Sequence, residues 1–283
     1  MTPSLHHTSG HGPQRRVFAM IGKPDLGGLT DSTIRAALHR IIGYSGLFRY
    51  ILMRPPDGCA PLTGACKMSR LVDKLAGDHR RDVAYQELYL TRPASEIQPD
   101  NYGLYTAAAR TIGPDQPITY LEFGVAGGNS ISSIAKLFTH GESRFIGFDS
   151  FVGLPEAWLF HGRGAFGQAG LLPALSDPRV QFVKGWFQNT LHAAMAKQSS
   201  SLQKNVLIHF DADLYSSTLF VLCSLWPMID QYYFIMDDFM QDDIVALYDF
   251  CLAYPVELTF IARHEGGLPH SVLGHMRRKA FDP

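Results

Sequence analysis

The stretch HFDADLYSST, His209 to Thr218, sets Asp211 and Asp213 one residue apart at the end of an apolar run, NVLIHF. A second apolar run, YYFIM, ends in the adjacent pair Asp237 and Asp238. Carboxylates gathered in one place repel one another unless a cation lies among them, and oxygen ligands suit magnesium, with calcium or manganese as substitutes. Such an ion can orient a hydroxyl and lower its pKa, leaving a neighbouring carboxylate to take the proton. Zinc has no comparable ligand set: Cys59, Cys66, Cys223 and Cys251 contain no CxxC pair, and the 12 histidines are scattered. The plainer reading of the four aspartates is that they cap helices and turns at strand ends. His209, inside its apolar run, reads as a satisfied core histidine.

A glycine-rich turn supplies a second candidate. LEFGVAGGNSIS places Gly124, Gly127 and Gly128 between an apolar run and a helical pattern, with Asn129 or Ser130 able to cap the helix. The G-x-G-x-x-G spacing of dinucleotide-binding turns is absent, which counts against a nicotinamide oxidoreductase. Glu122, two residues before Gly124, would repel a pyrophosphate but suit a cationic ligand such as S-adenosylmethionine, with its sulfonium and ammonium groups. Asp149, followed by Ser150, ends the run RFIGFD, where a carboxylate can accept the two hydroxyls of a ribose; a loop or cap aspartate is the alternative. Trp186 and Phe187 in KGWFQNTL offer an aromatic face to an adenine, or else serve the core.

These residues need a scaffold that brings strand ends together. ITYLEFG, SRFIGFD, VQFVKG, NVLIHFD and YYFIMDD have apolar residues on both faces, the pattern of buried parallel strands. SISSIAKLFTH, LHAAMAKQ, STLFVLCSLWPMI and DIVALYDFCLAY supply the crossover helices. VELTFIAR, HEGGLPH and SVLGHMRRK read as strand, turn and antiparallel returning strand. The expected fold is therefore α/β, a doubly wound, mostly parallel, Rossmann-like sheet with a C-terminal antiparallel hairpin. In such sheets ligands bind beyond the carboxyl ends of the strands, where every candidate above falls.

The remaining sequence sets the organisation. The 283 residues, 46% hydrophobic and 18% charged, can bury a full core. Residues 1–16 are expected to be a disordered leader, 17–100 a helical N-terminal extension, and 101–283 the sheet domain. A formal net charge of -1 gives no general attraction to nucleic acid or to an anionic membrane. No apolar run approaches the roughly 20 residues that span a bilayer, and a cytoplasmic location is expected. A long glycine-containing insertion, AWLFHGRGAFGQAG with His161 and Arg163, is either a lid over the site or a surface loop. His264, Glu265 and His270, in the turn of the last hairpin, either face the site or are solvated.

The run LEFGVAGGNSI, then GFDSFVGLPEAW, VKGWFQNTL, HFDADLYSST and MDDF, resembles the class I S-adenosylmethionine-dependent methyltransferases of the macrocin O-methyltransferase family over residues 118–275. The resemblance implies methyl transfer to a hydroxyl, in several members that of a natural-product sugar, with magnesium at the site. It implies Asp211, Asp237 and Asp238 as metal ligands and Asp213 as general base. It implies Glu122, Gly124, Gly128, Ser130, Asp149, Ser150, Trp186 and Asp211 around the cofactor. Ala212 stands where the family often has Gly or Cys. The expected partner is a small-molecule hydroxyl acceptor, and the apolar segments before residue 101 suggest a dimer. A metal-independent methyltransferase acting on nitrogen or a phenol, and a non-catalytic binding protein of the same fold, are the alternatives.

Overall fold

The structure, a computed structural model, describes residues 77–198, 205–264 and 270–279. The expected leader, the helices and loop expected between residues 30 and 76, Cys59, Cys66 and Glu265 lie outside the described residues. The pattern MSRLVDKLAGDHRRDVAYQELYL is helical where described: α1 covers residues 77–84 and widens into a π-helical stretch at Tyr85–Leu90.

The strands are β1 (Glu96–Gln98), β2 (Ile118–Phe123), β3 (Arg144–Asp149), β4 (Val180–Lys184), β5 (Asn205–Phe210), β6 (Gln231–Met236), β7 (Val256–His264) and β8 (Val272–Arg278). The helices are α2 (Asn101–Ile112), α3 (Asn129–Leu137), α4 (Phe187–Lys197), α5 (Tyr215–Leu225) and α6 (Ile244–Ala253). Strand order is β1-β7-β8-β6-β5-β2-β3-β4. β8 alone runs against its neighbours, pairing antiparallel with both β6 and β7; the other described pairs are parallel. The terminal hairpin forms as expected, but its second strand is inserted between β6 and β7.

β2 and β5 lie in the middle of the sheet, and all six residues of β2 are buried. Its alternate residues feed two separate apolar layers. Leu121 and Phe123 join Phe148, Ile208 and Phe210 beneath α1, α4, α5 and α6, whereas Ile118 and Tyr120 join Phe145, Leu207 and Ile235 beneath α2 and α3. That two-sided covering is why the strand sequences are apolar throughout and do not alternate.

Two elements were not expected from the sequence. α2 covers the stretch NYGLYTAAARTI; Asp100 caps it by accepting the Gly103 N–H at 2.7 Å, and Gly113 ends it at φ 102°. β1 adds a parallel edge strand from before residue 101, where the sequence reading opens the sheet domain. Between β3 and β4 there is no helix. The chain there forms a long loop, residues 150–179, whose far end is held by Arg179, which donates to the Ala135 and Phe138 carbonyls at the end of α3.

Candidate active site

Glycine shapes the meeting point of β2 and β5. Gly124 has φ +92°, and a Cβ there would lie 1.8 Å from the Asp211 carbonyl oxygen. Its own N–H bonds the Phe148 carbonyl at 3.0 Å, while the Asp211 N–H bonds the Phe123 carbonyl at 2.9 Å. Three strand ends are thereby drawn together, and only a residue without a side chain fits between them. Gly128, at φ +80°, starts α3 against Pro173 of the long loop, whose Cβ a side chain would meet at 2.9 Å.

Asp149 organises the same turn. Its Oδ2 accepts the N–H groups of Val125 and Ala126 at 2.8 and 2.9 Å, and its Oδ1 accepts that of Phe151 at 2.7 Å. Oδ1 keeps the larger share of free lone pairs. A cavity of about 320 Å³ opens beside it, lined by Gly124, Asp149, Ser150, Trp186, Phe187 and Asp211, with Arg163 and Phe166 of the long loop closing one side. This size lies at the lower end of small-molecule sites. The loop is an ordered wall: Trp158 and His161 exchange two backbone hydrogen bonds, Gln168 and Gly170 donate to the Phe151 carbonyl, and Ser216 of α5 donates to Glu156 at 2.9 Å.

The aspartates form two overlapping groups. One oxygen or nitrogen from each of His209, Asp211 and Asp237 lies within 4.8 Å of the others, and the same holds for Asp211, Asp213 and Asp238. Asp211 belongs to both and also lines the cavity. Asp213 and Asp238 have φ of 62° and 45°, left-handed conformations that cost of order 1 kcal/mol or more for residues with a side chain. Asp237 Oδ1 is buried with no hydrogen-bond partner. Oxygen donors, unpaired acid and backbone strain focused on one point fit a hard divalent cation.

Electrostatics follow from this crowding. Burial pushes the Asp211 carboxyl well above the ordinary range, and Asp237 adds to the rise. Asp213 is pushed from 3.8 to about 7 by burial, then by Asp238 and Asp237. Asp237 moves the other way: burial opposes its charge, but His209 alongside holds it below the usual carboxylate value. Burial also opposes a charge on His209, yet Asp237, Glu122 and Asp211 together outweigh it and the ring is pushed up to about 9. His270 lies 3.3 Å from Asp238 Oδ1, so one residue of the hairpin turn does face the acids.

Gly124, Asp149, Ser150, Trp186 and Asp211 thus share the cavity, and Asp213, Asp237 and Asp238 gather next to Asp211. Glu122, Gly128 and Ser130 are not among the cavity's lining residues. Glu122 is fully buried, and its partners are internal: it accepts from Tyr120 Oη at 2.5 Å and from Ser130 Oγ at 2.7 Å. His209 is fully buried as expected, but its partners, Tyr120 and Asp237, are polar. Sequence reasoning passed over Tyr120, Asn101, Ser271 and Asp243. Asp243 is buried, accepts from Thr218 at 2.5 Å and is pushed well up by burial. The available signal was the alternation of Tyr120 and Glu122 in a strand otherwise suited to the core.

Parts of the chain are similar to known proteins. Residues 161–251 match the family model described as Macrocin-O-methyltransferase (TylF). The likeness to that family is confined to this stretch, about a third of the chain. A curated protein of Streptomyces olivaceus, 8-demethyl-8-(2,3-dimethoxy-alpha-L-rhamnosyl)-tetracenomycin-C 4'-O-methyltransferase, is 32% identical over 152 residues, covering 44% of this chain and 54% of that protein. This chain therefore spans about half the length of that relative. Solved structures with similarity include the O-methyltransferase NovP, at 22% identity and TM-score 0.44 over 64% of this chain and 80% of that one. An O-methyltransferase from Bacillus cereus in complex with SAH shows 13% identity and TM-score 0.42 over 74% and 97%. Among the described residues no helix is long and apolar enough to cross a membrane.

Proposed function

We propose that this chain is an S-adenosylmethionine-dependent O-methyltransferase that uses a divalent cation, magnesium, to methylate a hydroxyl of a natural-product acceptor, with a sugar hydroxyl favoured. The observation that carries the reading is the position of Asp211, which lines the cavity and belongs to both acid groups, so a bound nucleoside and an activated hydroxyl would meet there. The rhamnosyl substrate named for the Streptomyces olivaceus relative supports the sugar.

Asp149 would hold the ribose hydroxyls through its less occupied Oδ1, and Trp186 and Phe187 would cover the adenine. S-adenosylmethionine supplies an electrophilic methyl group, so the chain's tasks are to align the acceptor and to remove its proton. Asp211, Asp237 and Asp238 would hold the cation, which supplies Lewis acidity to the acceptor oxygen. Asp213 takes the proton: its carboxyl, pushed up to about 7, is matched to a base that works near neutrality.

Calorimetric titration of the purified chain with S-adenosylmethionine tests the class, and saturable binding is expected. Acceptor turnover should fall to baseline after exhaustive chelation and return with Mg²⁺. A second reading, transfer without a metal, draws on His209: an imidazolium beside Asp237 places a cation of the protein's own among the acids. Turnover unchanged by chelation would select that reading.

A further inference from the structure

Asp237 treats its two oxygens unequally. Oδ2 accepts from Asn101 Nδ2 at 3.2 Å and lies 3.4 Å from His209 Nε2, an ion-pair contact without the alignment of a hydrogen bond. Oδ1 has no such partner and is nonetheless buried. One oxygen is anchored from behind, and the other is kept in hand.

His209 cannot easily turn away from this task. Its Nδ1 is 2.8 Å from Tyr120 Oη, and Tyr105 packs edge-on at 5.7 Å. Tyr120 in turn donates to Glu122 Oε2, and Ser130 donates to Glu122 Oε1. Strand register explains the alignment: Glu122 is opposite His209, and His209 is opposite Ile235, two residues before Asp237. Residues two apart on a strand share a face, so Tyr120, Glu122 and His209 meet on one side of the sheet. The result is a buried polar ladder running from Ser130 at the start of α3 to Asp237 after β6. An apolar set of the same shape would fill this space without the demands of hydrogen bonding. What the ladder adds is direction.

We propose that His209, held in place by Tyr120, is a positioning residue that fixes the Asp237 carboxylate so that Oδ1 is presented to a divalent cation. Neither Tyr120 nor His209 touches the cavity, and both act through Asp237. This inference rests on the reading of Asp237 as a cation ligand. Partners behind metal ligands commonly govern affinity by 10- to 100-fold, about the size of effect expected here.

The test uses the full chain, with Mn²⁺ binding followed by the electron paramagnetic resonance of the free ion and S-adenosylmethionine binding followed by calorimetry. Tyr120→Phe removes one hydroxyl and keeps the ring. It should weaken Mn²⁺ binding about 10-fold or more while cofactor affinity stays within about twofold. His209→Gln keeps an amide donor toward Asp237 and should bind Mn²⁺ more tightly than His209→Ala; this pair decides the matter if Tyr120→Phe fails to fold. Wild-type Mn²⁺ affinity in Tyr120→Phe, equal affinities in the two His209 variants, or a parallel loss of cofactor affinity would each overturn the proposal. Absence of Mn²⁺ binding by the wild-type chain would instead remove the cation reading itself, and this inference with it.

Discussion

Glu122 and Asp213 are both acids at the carboxyl edge of one sheet, and burial raises both, yet their surroundings are opposite. Glu122 is sealed in the core with Tyr120 on one oxygen and Ser130 on the other. Asp213 sits in a left-handed turn, 4.8 Å or less from two other carboxylates, and among the described residues no hydrogen bond to its carboxylate is found. Where the fold wants a fixed acid, it provides donors. Where the proposed cation would bind, it leaves acids facing one another, and their repulsion would be the driving force for taking it up.

Breaking the floor shared by both regions should have the largest effect. Gly124→Ala forces a Cβ into the Asp211 carbonyl, so a loss of about 3 kcal/mol or more in chemical denaturation is expected, together with loss of cofactor binding. Next comes Asp213→Asn. Turnover should drop about 10²-fold or more while the calorimetric affinity for S-adenosylmethionine is kept, and full activity would remove Asp213 from the chemistry. Glu122→Gln should reverse the pattern. It puts an amide where two hydroxyls donate, costing about 1–3 kcal/mol of stability, read as a melting temperature several degrees lower.

A pH series sharpens the contrast further. The folded-state pKa of Asp213 lies above its ordinary value, so its contribution to stability is complete below about 3.8 and is lost as pH rises through about 7. Chelated protein should therefore melt at a lower temperature at pH 8 than this group allows at pH 5. Added Mg²⁺ should raise the melting temperature more at pH 8, and Asp213→Asn should flatten the difference. The smallest effect is expected at the long loop. Glu156→Ala removes a bond to Ser216 between exposed side chains, and stability should change by no more than about 1 kcal/mol, with the cofactor affinity reporting any loosening of the cavity wall.

Much of this was legible before any coordinates. β2, β3, β5 and β6 announced themselves because both faces are covered, which leaves apolar runs; β4, read the same way, is the partly exposed edge strand. The strand ends then placed Asp149, Asp211, Asp213, Asp237 and Asp238 at one edge. Glu122 is a different case: a carboxylate two residues before a glycine turn looks ligand-facing, and the register of β2 against β5 also sets it opposite His209, with Tyr120 and Ser130 as internal partners. No local pattern encodes that pairing. β1 is only three residues long, and the helix from Asn101 is interrupted by Gly103, so neither stands out by periodicity.

The insertion of β8 has a consequence for how this site comes into being. The acid pair after β6 has Val272 opposite Met236 and His270 beside Asp238, both contributed by the stretch from 270 onward. The other half of the acid cluster, Asp211 and Asp213, comes earlier in the chain, so the cluster is complete only when the returning strand takes its place between β6 and β7. Placement of the acid cluster is thus coupled to placement of β8, a strand that carries none of the four aspartates.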